Sequence, residues 1–425
     1  MKENSITPSE YSLPTEARMT RLQEFARRAM LRRLERIEHG RLEIIEDGTP
    51  MQFGDATGDE TLRARVTVHD SRFWADVALG GNTGAGDAYI KGRWSCDNLT
   101  AAVRILLLNR DVLLSLDDGA GWLTQPLHRL LHWIHRNSRD GSRKNIAAHY
   151  DLGNDLFEEF LDPTMNYSCG IFPSKSASME EASLEKMEAI CRKLELTPDD
   201  HVLEIGTGWG GMAIHAAERY GCRVTTTTIS RRQYELAAER VAAAGLDDRV
   251  TLLLEDYRDL RGEYDKLVSV EMIEAVGHQY LDTYFSTCSK LLKPEGMMLL
   301  QAITIRDQLY EDAVSSVDFI KKYIFPGGFI PSVNAISDSL TRSTDLRMFH
   351  LQDIGPHYAT TLRRWRERFF ENIATVRRLG YPESFVRMWD FYLCYCEGGF
   401  LERNIGNIQL LLAKPMNRRE SLGYA

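Results

Sequence analysis

No stretch of this 425-residue chain reaches the roughly 18 consecutive apolar residues that a membrane-spanning helix needs. The most apolar segment, Ala101 to Leu116, is interrupted by Arg104, Arg110, Asp111 and Ser115. The first residues, MKENSITPSEYSLP, lack the apolar core of a secretory signal, so a cytoplasmic location is expected. Seven cysteines lie scattered at 96, 169, 191, 222, 288, 394 and 396, with no CxxC pair and an odd total. That spacing gives neither a zinc site nor a disulfide framework, and no metal is expected. Positive charge is not in excess either: 52 Lys and Arg face 61 Asp and Glu, net −9. A polynucleotide partner calls for a basic face, so nucleic acid is not expected.

The charge that is present is unevenly divided. Residues 1–150 carry 21 basic and 20 acidic side chains, whereas 151–425 carry 31 and 41. A local basic stretch lies where the two parts meet. Residues 128–144 hold Arg129, Arg136, Arg139, Arg143 and Lys144 against Asp140 alone, with Trp133 among them and Trp122 just upstream. Leu123, Leu127, Leu130, Leu131 and Ile134 recur at helical spacing. A basic amphipathic helix over 122–136 has two readings: it packs on the protein's own core, or it lies on an anionic membrane surface.

Two regions with different patterns follow from the order of segments. Residues 17–39 have helical spacing; RLEIIEDG, TLRARVTVHD and RFWADVALGG alternate apolar and polar residues as strands of a small antiparallel domain do. A glycine-rich turn, GGNTGAGDAYIKGRW, and a helical segment over 98–116 come next. After residue 195 strands and helices alternate: HVLEIG, RVTTTTI, VTLLLEDY, DKLVSVEM and GMMLLQAITI are strands, with helices between most of them. That alternation predicts a doubly wound, largely parallel α/β sheet. Segment 306–345 interrupts it with helical character and the turn FPGGFIPS, and NIQLLLAKP is a returning strand.

The first of these later strands ends in Glu204-Ile205-Gly206-Thr207-Gly208-Trp209-Gly210-Gly211. Glycines at a strand-to-helix turn bring backbone and helix N–H groups close to a ligand. The spacing is not G-x-G-x-x-G, and the second strand ends in threonines rather than the acid that holds a dinucleotide ribose. An acidic residue just before the glycines suits a cofactor with a cationic amino-acid tail. The other reading of this loop is a packing turn. The segment resembles the first motif of class I S-adenosylmethionine-dependent methyltransferases. That resemblance implies an adenine held by Asp256 and Tyr257 at the third strand's end, which on spacing alone is equally a strand end with surface acids. No N/D-P-P-Y/F follows the fourth strand and no Pro-Cys nucleophile occurs, so the motifs of exocyclic-nitrogen and cytosine-C5 methylation are missing.

Five further segments narrow the resemblance. HYDLGNDLFEEFLD (149–162), MNYSCGIF (165–172), EMIEAVGHQYLDTYF (271–285), KKYIFPGGFIPS (321–332) and IGPHYATTLRRW (354–365) resemble cyclopropane-fatty-acyl-phospholipid synthases and mycolic-acid cyclopropane synthases. The resemblance covers nearly the whole chain and is strongest over 145–415. It implies a Rossmann-like doubly wound methyltransferase domain over 141–425, with 306–345 as a helical substrate-covering insertion. A smaller N-terminal α+β lipid-binding domain over 1–140 would dock on the membrane.

The chemistry implied is transfer of a methylene from S-adenosylmethionine to a cis double bond of a phospholipid acyl chain. Methyl transfer leaves a carbocation, and a base then removes a proton as the ring closes. Such a cation needs aromatic faces and exclusion of water. Tyr167, Tyr323, Phe325, Tyr358 and Trp365 are aromatic candidates, each of which is equally a core residue. In the family the base is a bound bicarbonate. Its holders here would be Cys169, Glu274, Ile303 through its backbone, and Tyr358. The fifth family position is a histidine and here is Gln301, an amide that donates a hydrogen bond but cannot titrate.

By the same analogy Tyr167 and Ser168 lie near the cofactor's methionine part, Glu204, Gly206, Gly208 and Gly210 form its loop, and Thr228 and Gln233 lie near its ribose. His149, His278 and His357 are expected in structural hydrogen bonds. The partners implied are the inner membrane surface with its unsaturated chains and a second copy of the chain. Three other outcomes are weighed: a methylene- or methyl-branched product, a non-catalytic lipid- or cofactor-binding protein, and a methyltransferase of small molecules.

Overall fold

The structure is a computed structural model that describes residues 19–55, 60–110 and 153–420. The chain divides into two compact units, Met1–Leu127 with Pro382–Glu402, and His128–Tyr381 with Arg403–Ala425. Among the described residues no helix is long and apolar enough to cross a membrane.

The first unit holds β1 (Arg41–Glu46), β2 (Thr49–Phe53), β3 (Arg63–Val68) and β4 (Trp94–Cys96), in the order β2-β1-β3-β4. β1 pairs antiparallel with β2 but parallel with β3, so the sheet is mixed where an antiparallel one is expected from the strand pattern. RFWADVALGG is not a strand. Arg72–Ile90 is helical, bent at Gly81, whose φ of 53° breaks it into two legs. Phe73, Ala75, Val77 and Leu79 alternate as in a strand, while Phe73, Trp74 and Val77 fit a helical repeat, and seven or eight residues do not distinguish the two. The expected glycine-rich turn shrinks to Gly81, because the rest of GGNTGAG continues as the second leg.

The helix Glu383–Leu401, far along the chain, groups with this unit rather than with the residues around it, which a single cut at 140 does not anticipate. Its Asp390 accepts a 2.7 Å hydrogen bond from the Tyr89 hydroxyl, its Glu397 accepts one of 2.8 Å from Thr100, and Gly398 admits the Val103 side chain.

The second unit carries β5 (His201–Ile205), β6 (Arg223–Thr227), β7 (Val250–Leu253), β8 (Tyr264–Val270), β9 (Leu292–Ile305), β10 (Arg347–Asp353) and β11 (Ile405–Ala413). Their order is β10-β11-β9-β8-β5-β6-β7; the pairs from β9 through β7 are parallel, and β11 and β10 add antiparallel. The doubly wound sheet expected from the alternation is therefore present. β10 was not anticipated: RMFHLQD is polar and largely exposed, as an edge strand is. Period-two alternation sends Leu203 and Ile205 into one apolar cluster and Val202 and Val224 into another, so both faces are covered.

Chain order reverses at β5, whose neighbours are β6 and β8. The crevice at the carboxyl ends of β5 and β8 is where open α/β sheets bind ligands. The turn after β5 is the glycine loop, and the turn after β8 carries Glu271 and Glu274.

The bend at Gly81 folds the helix back so tightly that a Cβ on Gly84 would run into the Asp76 carbonyl, whereas one on Gly80 would meet nothing within 4 Å. Gly84→Ala should therefore destabilise the protein by about 1–3 kcal/mol despite alanine's better helix propensity, and Gly80→Ala should not. Denaturant unfolding of both variants checks this, and an equally stable Gly84→Ala would mean the two legs are not packed as described.

Candidate active site

The glycine loop is built as its sequence suggests. Gly206, Gly208 and Gly210 have φ of 105°, 53° and 86°, which L side chains rarely adopt, and the helix Gly211–Tyr220 starts directly after them. A Cβ on Gly208 would meet nothing within 4 Å, so the loop leaves a cradle in which backbone approaches a ligand. A Cβ on Gly206 would lie 3.3 Å from the Met272 side chain, which puts the turn after β8 against this loop. Glu204 is buried with its Oε2 accepting a 2.6 Å hydrogen bond from Thr226, and burial raises its carboxyl to about 7. Thr228 donates to Gln233 Oε1 at 2.9 Å, so the two ribose-side candidates are joined.

Asp256, just after β7, is held by an arginine. Arg258 meets its carboxylate with two prongs, at 2.8 and 2.6 Å, and also lies over the Tyr257 ring, 5.5 Å from its centroid. Tyr257 in turn packs edge-on to Tyr284.

Three of the five residues that the resemblance assigns to a bicarbonate, Cys169, Gln301 and Tyr358, gather around a different group, the carboxylate of Glu271. Its Oε1 accepts from the Cys169 backbone N–H at 3.0 Å, Gln301 Nε2 at 2.9 Å and Asn407 Nδ2 at 2.6 Å. Its Oε2 accepts from the Tyr358 hydroxyl at 2.6 Å. Gln301 is fully buried and fully used: its amide also donates to the Cys169 carbonyl, and its Oε1 accepts from Gln409, the residue directly opposite on β11. Gln409 is itself held by Lys193.

Glu274 stands three residues on. Its Oε1 accepts from the Ile303 backbone N–H at 2.6 Å, as the resemblance leads one to expect for neighbours in one site. Its Oε2 is buried and has no hydrogen-bond partner. Burial pushes this carboxyl up to about 8, and the charge of nearby Glu271 adds to the shift. The insertion bonds to its backbone: Phe329 in FPGGFIPS donates its N–H to the Glu274 carbonyl at 3.0 Å.

Cys169 is a buried thiol raised well above its ordinary range by burial, which makes it no nucleophile. Its part in the site is its backbone N–H. Tyr167 stacks on Trp365, with centroids 5.0 Å apart, and Trp365 meets the edge of Tyr358 at 6.1 Å, so three of the five aromatic candidates form one cluster beside Glu271. Tyr323 packs with Phe319 instead. His357 accepts the Phe172 N–H at 3.2 Å and is kept neutral by burial, a structural role, and His278 packs against Phe329. His149 and the basic segment 122–136 lie outside the described residues.

Three participants were missed from sequence. Glu271 and Asn407 are described above. Lys186 is fully buried and donates to Asn166 at 2.7 Å and to Ser168 at 3.1 Å, which fixes the Tyr167-Ser168-Cys169 turn. A lysine on the buried side of a helix, beside Ala182, Ser183 and Ile190, was the available signal. Glu271 had the weaker signal of a second acid in SVEMIEAVG. Its φ of 49°, strained for a side-chain-bearing residue, is visible only in three dimensions.

Comparison with known proteins gives the family. A family model described as mycolic acid cyclopropane synthetase matches residues 137–410. The chain is 42% identical over 367 residues to the tuberculostearic acid methyltransferase UfaA1 of Mycobacterium tuberculosis, covering 82% of this chain and 83% of that protein. It is 37% identical over 359 residues to the cyclopropane-fatty-acyl-phospholipid synthase of Escherichia coli, covering 83% and 88%. The solved cyclopropane synthase MmaA2 from Mycobacterium tuberculosis superimposes with a TM-score of 0.60 at 30% identity, covering 64% of this chain and 98% of that one.

The raised Glu274 carboxyl makes a pH prediction. Between about 4.5 and about 8 the folded state binds a proton here that the unfolded chain releases, so this group's contribution to stability falls as pH rises through that window. Glu274→Gln should remove that slope and make the protein more stable than wild type above pH ~8. Denaturant midpoints of both proteins across pH test it, and parallel profiles would mean that Glu274 titrates as an ordinary surface carboxyl.

Proposed function

Because the chain belongs to the mycolic acid cyclopropane synthetase family of S-adenosylmethionine-dependent methyltransferases, we propose that it methylates a cis double bond within an unsaturated acyl chain of a membrane phospholipid. The observation that carries this reading is a carboxylate pair, Glu271 and Glu274, set between the glycine loop and the aromatic cluster of Tyr167, Tyr358 and Trp365. An alkene is a weak carbon nucleophile with no proton to remove beforehand, so the site needs no base before methyl transfer and one after it.

The cradle at Gly206, Gly208 and Gly210, with Tyr167, Ser168, Glu204, Thr228 and Gln233 around it, fits S-adenosylmethionine. When bound, that cofactor supplies an electrophilic methyl group on a sulfonium. The chain's own residues do the rest. Aromatic faces stabilise the cation left on the acyl chain, and the insertion over Glu274 keeps out water that would trap it as an alcohol. Docking on anionic headgroups through the basic segment 122–136 is part of the proposal and supplies a route for a substrate that lies within a bilayer.

Ring closure to a cyclopropane is the first reading, supported by the family match and by the Escherichia coli relative. A methylene- or methyl-branched product is the second. It is favoured by Gln301 and Glu271 at the base site and by the 42% identity to a protein named as a methyltransferase. Incubation with labelled S-adenosylmethionine and oleoyl phospholipid adds one CH2 in either case, so NMR or ozonolysis of the product decides. Loss of the double bond is the expected ring signature, and a retained double bond selects the branched product.

Glu274→Gln should lower turnover about 100-fold or more while leaving S-adenosylmethionine affinity within a few-fold. Isothermal titration and the rate of S-adenosylhomocysteine release measure the two separately. Near-wild-type turnover would remove Glu274 from the reaction.

A further inference from the structure

We propose that the Glu271 carboxylate occupies the place of a bound anion and is itself the proton acceptor, so that this protein works without bicarbonate. The proposal deepens the reading above and rests on it. A bicarbonate ion needs donors. Three of the five positions that the family likeness assigns to holding it are engaged by Glu271: the Cys169 N–H, the Gln301 amide and the Tyr358 hydroxyl. Asn407 adds a fourth donor. Of the two buried polar atoms left without a partner near them, Asn407 Oδ1 is an amide oxygen that does not attract an anion, and Glu274 Oε2 offers a single donor, in its protonated form alone. The residues present therefore do not fit a bicarbonate while Glu271 stands in the cluster.

The backbone supports the assignment independently. Glu271 has a φ of 49°, a conformation that a side-chain-bearing residue adopts only when its surroundings enforce it. Here the side chain is gripped from four stretches of chain. Glycine would relieve the strain and lose the carboxylate.

A carboxylate offers about four lone-pair positions. Oε1 takes three donors and Oε2 takes only the Tyr358 hydroxyl, so Oε2 keeps a lone pair for a proton. In ring closure one C–H bond of the newly attached methyl breaks. Its electron pair forms the bond to the cationic carbon, and the proton passes to Oε2. In the branched outcome a hydride first shifts from the methylated carbon to its cationic neighbour, and the same C–H pair then forms a C=CH2 bond. One proton leaves in either case, and Glu271 later releases it to solvent.

The test uses the full chain in sealed, CO2-free buffer with and without added bicarbonate. It reads binding of 13C-labelled bicarbonate by NMR, and S-adenosylhomocysteine release on phosphatidylglycerol vesicles with oleoyl chains. Wild type is expected to show no bicarbonate binding and no change in turnover when bicarbonate is added. Glu271→Gly is expected to bind bicarbonate, to lose about 100-fold in turnover without it, and to recover when it is supplied. Glu271→Gln, which leaves an amide in the cluster, is expected to lose activity and not to recover.

Wild type that binds bicarbonate or depends on it overturns the proposal, and that measurement needs no variant to fold. So does Glu271→Gly turning over at the wild-type rate without bicarbonate. The binding arm needs no lipid. A wrong substrate would therefore silence turnover and leave the binding contrast intact, which separates a failure of the function from a failure of this inference.

Discussion

Four donors from four separate stretches of chain converge on one carboxylate, and the second unit's functional end is organised around that convergence. Cys169 comes from the turn after Asn166, Gln301 from β9, Asn407 from β11 and Tyr358 from the helix Gly355–Glu371. Glu271 itself is held at the carboxyl end of β8 by the hydrogen bond from its N–H to the Gln301 carbonyl. Each donor loses a partner if the carboxylate is withdrawn, and a buried donor left unmet costs about 1–3 kcal/mol. The carboxylate is thus a structural tie as well as a chemical group, which explains how the backbone sustains a left-handed residue there.

Its charge also sets the state of its neighbours. Glu274, three residues on, is driven toward its neutral form by burial, and the adjacent negative charge works in the same direction. Glu274 is therefore held toward its neutral form beside a carboxylate that is met by four donors. Cys169 is kept a thiol by burial, and the same negative charge adds to that. The buried lysine on the other side of the turn, Lys186, has its charge disfavoured by burial and supported by Glu271. These groups form a compact electrostatic unit beside aromatic rings, suited to a reaction in which a cation appears and a proton then leaves.

Much of this arrangement was legible in the sequence, for definite physical reasons. Parallel strands buried on both faces read as apolar runs, so HVLEIG and GMMLLQAITI stand out, and a glycine loop that needs three positive φ angles has few other spellings. RFWADVALGG was misread because its few apolar residues satisfy two repeats at once. The helix Glu383–Leu401 could not be assigned from local pattern, since its membership of the first unit depends on pairs such as Tyr89 with Asp390, 301 residues apart. At the site, Cys169, Gln301 and Tyr358 were found, but what they hold was not. A donor's partner is a matter of backbone direction, and the turn that aims Glu271 inward and leaves Glu274 beside Ile303 is set by a dihedral angle that the letters do not carry.

The donor cluster holds a side chain of the protein rather than a free anion. A high-resolution crystal structure of the full chain, grown with S-adenosylhomocysteine in bicarbonate-rich buffer, tests it directly. Continuous density is expected from the Glu271 backbone to a carboxylate between Cys169 N, Gln301 Nε2, Asn407 Nδ2 and Tyr358 Oη. A separate planar ion in that cluster, with the Glu271 side chain turned away, would contradict it.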